Sequence, residues 1–300
     1  MEPWIPITIA AAFLQNLRSA LQKHLQGSLG TRGASFVRFG YGFPVAVLYV
    51  IALHALAGYR LPVPTPGFAI WAVIGGLAQI YATMMLVHLF SLRNFTVGTA
   101  YSKTEPMQAA LFGLLILGER LSLGTVIAIL IGVLGVMTIS VARSPLTASS
   151  LIRSLTSRTA LIGIASGGVF GISAVAYRSA SLSLDGPNAV MQAAVTLACV
   201  TGFQTLFMLG WMLLTDRGEI VKVVRSWRTS SLVGLAGVVG SAGWFTAMTL
   251  QQVAYVRALG QIELVFTFMA SVFLFKERIN RLELAGCLLI VAGILGLLFF

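Results

Sequence analysis

The chain has 300 residues, of which 57% are hydrophobic and only 10% charged, and its net charge is +11. Soluble domains carry roughly a quarter charged residues, so a mean hydropathy of +0.91 excludes a water-covered globule and assigns most of the surface to lipid. The positive charge does not imply nucleic acid. Lys and Arg cluster in short polar gaps between apolar runs, where they meet headgroups, and no basic helix, RNA-binding module or zinc motif accompanies them.

A membrane span needs roughly 20 apolar residues to cross about 30 Å of hydrocarbon. Runs that fit lie near 4–25, 34–57, 67–91, 95–117 and 122–142, then 158–180, 187–214, 229–251, 256–275 and 281–300. The first lacks a signal peptide's basic start and cleavage site and reads as a retained span. Within it Gln15, Arg18 and Gln22 follow a 3–4 spacing and make one polar stripe that does not belong against lipid. Pro62, Pro64 and Pro66 punctuate the chain after the second run, Gly118-Glu119-Arg120 after the fourth, and Asp185-Gly186-Pro187 before the seventh. The two longer gaps, 143–157 and 215–228, are basic, and no segment is large enough for a soluble domain. Cys199 and Cys287 fall inside apolar runs and read as packing residues, with no metal-ligand spacing and no cofactor motif. The fold class is therefore an all-α integral membrane protein of about ten helices.

Internal repetition orders these runs. Glu105 and Glu119 are separated by fourteen residues, and so are Glu263 and Glu277. The segment from Glu105-Pro106 to Leu117-Gly118-Glu119-Arg120 aligns with that from Glu263-Leu264 to Phe275-Lys276-Glu277-Arg278 at an offset of 158, which also carries Gly76 onto Gly234 and Gly135 onto Gly293. Two five-helix repeats result, residues 1–142 and 158–300, joined by the basic loop 143–157. Five is odd, so the second repeat enters the membrane inverted, a plan that puts a site at the midplane between the halves. Glycines at 163, 167 and 171 on the sixth run, and at 234, 237, 240 and 243 on the eighth, predict close helix packing.

The motifs Arg38-Phe39 opening the second span, Glu105-Pro106 in the fourth and the Gly-Glu-Arg corner at 118–120, repeated by Glu263 and Lys276-Glu277-Arg278, resemble the EamA-type transporters of the drug/metabolite transporter superfamily over the whole chain. The resemblance implies a ten-helix carrier with a central cavity lined by spans one, three, four, six, eight and nine. Leu264 departs from it by standing where a proline is usual, so no proline-dependent break is expected in span nine.

Charges inside the hydrocarbon are costly and face a cavity or a partner. The short list is Arg18, Arg38, Lys103, Glu105, Arg178, Arg257 and Glu263, with His88 as a titratable extra. Glu105 and Glu263 are equivalent by the repeat and are candidates for proton coupling or for binding a cationic group, against structural pairing with Arg18 or Arg38. Arg18 suits an anionic carboxylate or phosphate, against pairing or snorkelling. Arg178 and Arg257, nearer span ends, are expected to snorkel. Gln15, Arg18, Gln79, Tyr101, Glu105, Trp244, Gln261 and Glu263 form the expected substrate site; Tyr81, Tyr177 and Tyr255 are further aromatic candidates, and Trp4 and Trp227 are expected interfacial anchors.

His24, His54 and His88 have no acid at a productive spacing, and no phosphate-binding loop exists, so neither an enzyme nor ATP drive is expected. The reading is a secondary carrier, in the export direction, of small polar or amphipathic metabolites such as amino acids or drugs, with H⁺ as a possible coupling ion and a bacterial inner membrane as its place. A nucleotide-sugar or lipid-linked substrate carrier is the alternative within transport; a membrane-embedded enzyme or a scaffold is the one outside it. Monomer and homodimer both stay open. Thirteen of the twenty Lys and Arg border odd-numbered loops, which places both termini outside by the positive-inside rule, whereas the resemblance implies cytoplasmic termini.

Overall fold

The structure is a computed structural model that describes residues 2–25, 28–91, 101–142, 157–273 and 281–299. The Glu277-Arg278 corner, with Lys276, and nearly all of the loop 143–157 lie outside the described residues. The helices are α1 (Trp4–Leu25), α2 (Thr31–Gly40), α3 (Gly42–Ala55), α4 (Pro66–Ser91), α5 (Glu105–Leu117), α6 (Leu123–Ala142) and α7 (Arg158–Leu182). They continue with α8 (Ala189–Thr215), α9 (Arg217–Arg225), α10 (Trp227–Leu250), α11 (Val253–Leu259), α12 (Ile262–Phe273) and α13 (Arg281–Phe299). The described residues hold no strand, and Val63 and Asp185 make an isolated antiparallel bridge.

Among the described residues, seven helical stretches are long and apolar enough to cross a membrane, α2 and α3 together counting as one, Thr31–Ala55. The difference from ten has local causes. α1 is 22 residues long, but the stripe of Gln15, Arg18 and Gln22 lowers its apolarity. α5 is apolar but has 13 residues, and the ninth run is divided into α11 and α12. The basic gap 215–228 contains the helix α9, whose first turn is capped by the Asp216 side chain accepting from Glu219 N at 3.2 Å.

Helix ends follow their sequence signals. Asn188 accepts from Val190 N at 2.9 Å and Met191 N at 3.1 Å to open α8, and Ser157 accepts from Ala160 N at 3.2 Å to open α7. Gly118, at φ +68°, closes α5, with its N–H donating to Leu114 O and that of Glu119 to Gly113 O, both at 3.1 Å.

Small residues set the helix contacts, as lipid supplies no hydrophobic drive between helices. α6 and α13 touch through backbone: a Cβ on Gly135 would lie 2.7 Å from Gly286 O, and one on Gly293 would lie 2.8 Å from Ala128 O. α10 meets α1 where Gly240 and Gly243 face Leu14 and Ala11, and α4 meets α7 where Gly75 faces Tyr177 and Ala176. The expected packing role of the α7 glycines is met by Gly167 and Gly171, which lie against Ser102 O and Ala109 N at the start of α5. Two connections act as clasps. Val63 and Asp185 exchange backbone hydrogen bonds at 2.9 and 3.1 Å, tying the α3–α4 link to the α7–α8 link. The Glu219 carboxylate, 3% exposed, accepts from Gly30 N and ties α9 to the α1–α2 link.

Candidate functional site

The helix bundle encloses a cavity of about 360 Å³ lined by residues from α1, α2, α4, α5, α7, α8, α10, α11 and α12, and by Val136, Ile139 and Ser140 of α6. Spans two, five and seven thus join the six that were expected. Among the described residues its charged lining has four cations, Arg18, Arg38, Lys103 and Arg257, and two carboxylates, Glu105 and Glu263.

Both glutamates sit where a helix restarts. α5 begins at Glu105 after a turn in which Thr104 N–H donates to Tyr101 O at 3.2 Å, and Pro106 supplies a preset φ in its first turn. α12 begins at Ile262 after Gly260 and Gln261, with Gln261 N–H bonded to Ala258 O at 3.2 Å and Glu263 N–H to Gly260 O at 3.2 Å. The interruption in span nine therefore exists without a proline. The Trp244 indole packs on the bare backbone of Gly260 at this point, where a Cβ would lie 2.5 Å from Trp244 Cη2.

Each carboxylate pairs with a cation of the other half. Glu105 Oε1 is 3.1 Å from Arg257 Nε, an ion pair without the alignment of a hydrogen bond, and the Arg257 guanidinium lies 4.7 Å from the Trp244 ring centroid. Glu263 is paired with Lys103 and also accepts from Gln15 Nε2 at 3.4 Å, while Asn16 Nδ2 reaches Glu263 O at 3.5 Å. Pairing of Glu105 with Arg18 or Arg38 is not what forms. Arg257 and Arg178 do not snorkel. The Arg178 side chain is 14% exposed; its Nε donates to Glu119 Oε1 at 2.6 Å, and its Nη1 to Met248 O at 2.5 Å and Gln251 O at 2.8 Å, which satisfies the carbonyls that end α10.

At the other side of the cavity, Arg38 is held by neutral groups. Oriented with its oxygen toward the guanidinium, the Gln79 amide accepts from Arg38 Nη1 at 2.8 Å and Nη2 at 3.2 Å and donates to Ser173 Oγ at 2.8 Å. Arg38 also reaches Thr83 Oγ1 at 3.4 Å and Ser241 Oγ at 3.5 Å. Arg18 Nη2 reaches Ser19 Oγ at 3.4 Å, and its Nε has no partner among the described residues. Tyr177 completes the wall, stacked on Phe245 at 4.4 Å and accepting from Gln204 Nε2 at 3.1 Å.

Of the expected site residues, Gln15, Arg18, Gln79, Glu105, Trp244 and Glu263 line this cavity. Gln261 lines a pocket of about 30 Å³ beside it, where Gln261 Nε2 and Trp244 Nε1 lack protein partners among the described residues. Tyr101 lies outside both and packs against Ala160, Met137 and Ile164. Tyr81 is half exposed on the outer surface, and Tyr255 bonds Thr125 Oγ1 at 2.8 Å away from the cavity. Trp4 is 4% exposed and edge-on to Tyr255 at 6.5 Å, so it is a packing residue rather than an interfacial anchor. Tyr177, Ser241 and Gln204 were missed or left undecided. Tyr177 and Gln204 carry a sequence signal only as polar groups deep in apolar runs, and Ser241 as the polar member of a small-residue face.

Among curated proteins, none matches this chain. A solved structure, described as "Crystal structure of protein", is similar to it with a TM-score of 0.67 and 18% identity, covering 98% of this chain and 94% of its own; at that identity the likeness is one of fold. The family model of the EamA-like transporter family matches residues 2–141 and again 157–299. A bundle of apolar helices around a charged cavity, matched twice by that model over almost its full length, belongs to the EamA-like transporter family of the drug/metabolite transporter superfamily.

Proposed function

We propose that the chain is a secondary carrier that exports small polar or amphipathic metabolites by alternating access between two inverted five-helix repeats. The observation that carries this reading is the crossed pairing at the cavity: Glu105 with Arg257 and Glu263 with Lys103 tie the restart of one half's broken helix to the cations of the other. A change in the relative tilt of the halves must exchange those pairs, which makes them a two-state element. The contacts support the repeat: α1 packs on α10 as α7 packs on α4, α5 packs on α7 as α12 packs on α1, and α6 packs on its own equivalent, α13. A cavity of about 360 Å³ favours a small metabolite over a nucleotide sugar or a lipid-linked substrate. Glu263 is the proton-coupling candidate of the two glutamates, as its partner is the more accessible. Proteoliposome counterflow tests the proposal: a carrier gives saturable flux accelerated by unlabelled substrate on the far side, and a scaffold or enzyme gives none.

A further inference from the structure

The crossed ion pairs employ two of the four cavity cations and both carboxylates, which leaves Arg18 and Arg38. Both face the cavity, and Arg18 is 6% exposed. Their stems converge on the bare backbone of Gly237, where a Cβ would lie 3.4 Å from Arg38 Cγ and 3.5 Å from Arg18 Cδ. Among the described residues neither has a carboxylate within ion-pair distance. Of the chain's nine acidic residues, only Glu105 and Glu263 line the cavity among those described. Among the described residues the lining therefore sets four cations against two carboxylates.

Two adjacent guanidiniums in a poorly solvated cavity repel each other, and hydrogen bonds to neutral acceptors orient Arg38 without cancelling its charge. An anion placed between them removes the repulsion: Arg18 offers it an Nε without a partner among the described residues, and Arg38, its fork oriented by Gln79, Thr83 and Ser241, supplies the second charge. We propose that Arg18 and Arg38 form an anion subsite that takes the carboxylate or phosphate of the transported metabolite, whose net charge is negative. This rests on the carrier reading and narrows it. A zwitterionic amino acid would bring an ammonium into a cavity whose carboxylates are already engaged, so the excess charge favours an organic acid or phosphate ester. Phe39, Phe170, Phe245 and Met248 give its apolar part a surface.

The test is calorimetric binding and thermal unfolding of the purified full-length protein in detergent, at matched ionic strength. The probes are succinate, glycerol phosphate, phenylalanine, choline and sodium chloride. Succinate or glycerol phosphate is expected to bind and raise Tm, and Arg18→Gln and Arg38→Gln to weaken that binding by about tenfold or more. Both variants are expected to unfold at or above the wild-type temperature without ligand, since each removes an unneutralised charge. Arg38→Lys, which keeps the charge and loses the fork, is expected to fall between. Stabilisation by phenylalanine or choline equal to that by succinate overturns the proposal, as does an equal effect of chloride, or anion binding that survives both glutamine variants. The carrier reading fails separately: anion binding that depends on Arg18 and Arg38 with no counterflow of any probe keeps the subsite and removes the transport. Saturable counterflow of choline with no anion bound does the reverse.

Discussion

Glu105 and Glu263 occupy equivalent places in the two halves, yet their surroundings assign them different work. Each begins a helix after an interruption, and each pairs across the cavity with a cation from the other half. Glu105 faces Arg257, whose side chain is 11% exposed and lies over the Trp244 ring. Glu263 faces Lys103, whose side chain is 35% exposed. Arginine stays charged at any pH a protein meets and is held here by stacking as well as by charge, whereas the Lys103 ammonium, on a flexible stem and 35% exposed, is expected to leave its partner more readily. The repeat thus supplies two carboxylates, and the difference in cation is expected to make the Glu105 pair the more fixed and the Glu263 pair the more exchangeable.

The strongest way to break this comparison is to remove the strut. Glu105→Gln leaves Arg257 buried without its counter-charge, which is expected to cost about 3 kcal/mol and to lower Tm in detergent by about 5 °C. The double variant Glu105→Gln with Arg257→Gln should recover more than half of that loss. Equal Tm values for wild type and the Glu105→Gln single variant would show that the pair bears no load.

The interruptions differ in the same sense, and alanine at their glycines sharpens the contrast. A Cβ on Gly167 would lie 2.8 Å from the Ser102 carbonyl, which belongs to backbone and cannot turn aside. Gly167→Ala is expected to cost about 2 kcal/mol, read as a lower Tm. A Cβ on Gly260 meets instead the far edge of the Trp244 ring, which can tilt. Gly260→Ala should therefore cost less stability and shift tryptophan fluorescence, because the ring leaves Arg257. If Gly260→Ala proves the more destabilising, span nine is as rigid as span four.

Hydropathy and the offset of 158 locate the apolar helices, the glycine seams and both glutamates, since these depend on residue type and spacing alone. Which cation meets which glutamate was not legible. Arg257 and Lys103 have no counterparts across the repeat: the offset places Thr99 opposite the first and Gln261 opposite the second. Arg178 and Arg257 lie near span ends, which favours snorkelling, but the carbonyls closing α10 and the Glu105 carboxylate are brought to them only by tertiary packing. Nor did the stripe on α1 disclose that Gln22 turns from the cavity to bond Ala34 O at 2.6 Å, leaving Arg18 and Gln15 to face it. The break between α11 and α12 was hidden because it carries no proline like Pro106 at the start of α5.

Glu263→Gln tests the exchangeable side. Lys103 is one-third exposed and can rehydrate, so the expected stability loss is about 1 kcal/mol, well under that of Glu105→Gln. The larger effect is expected on coupling. Flux in Glu263→Gln proteoliposomes should no longer respond to an imposed pH gradient, while Glu105→Gln that folds should keep its response. A Glu263→Gln protein with wild-type pH dependence would remove this glutamate from the coupling proposal.

The smallest change in stability, within about 0.5 kcal/mol, is expected from Lys103→Arg, and it asks whether the cation alone separates the two sites. The substitution keeps the charge and adds a fork able to hold Glu263 through two donors. If exchangeability comes from the lysine, the variant should bind substrate nearly as well as wild type yet turn over more slowly, since the carrier must now break a stronger pair in each cycle. Stopped-flow counterflow reads that rate directly. A turnover equal to wild type would place the asymmetry elsewhere, in the accessibility of Glu263 itself, and the aromatic cover that Trp244 gives Arg257 would then be the feature that separates the two halves.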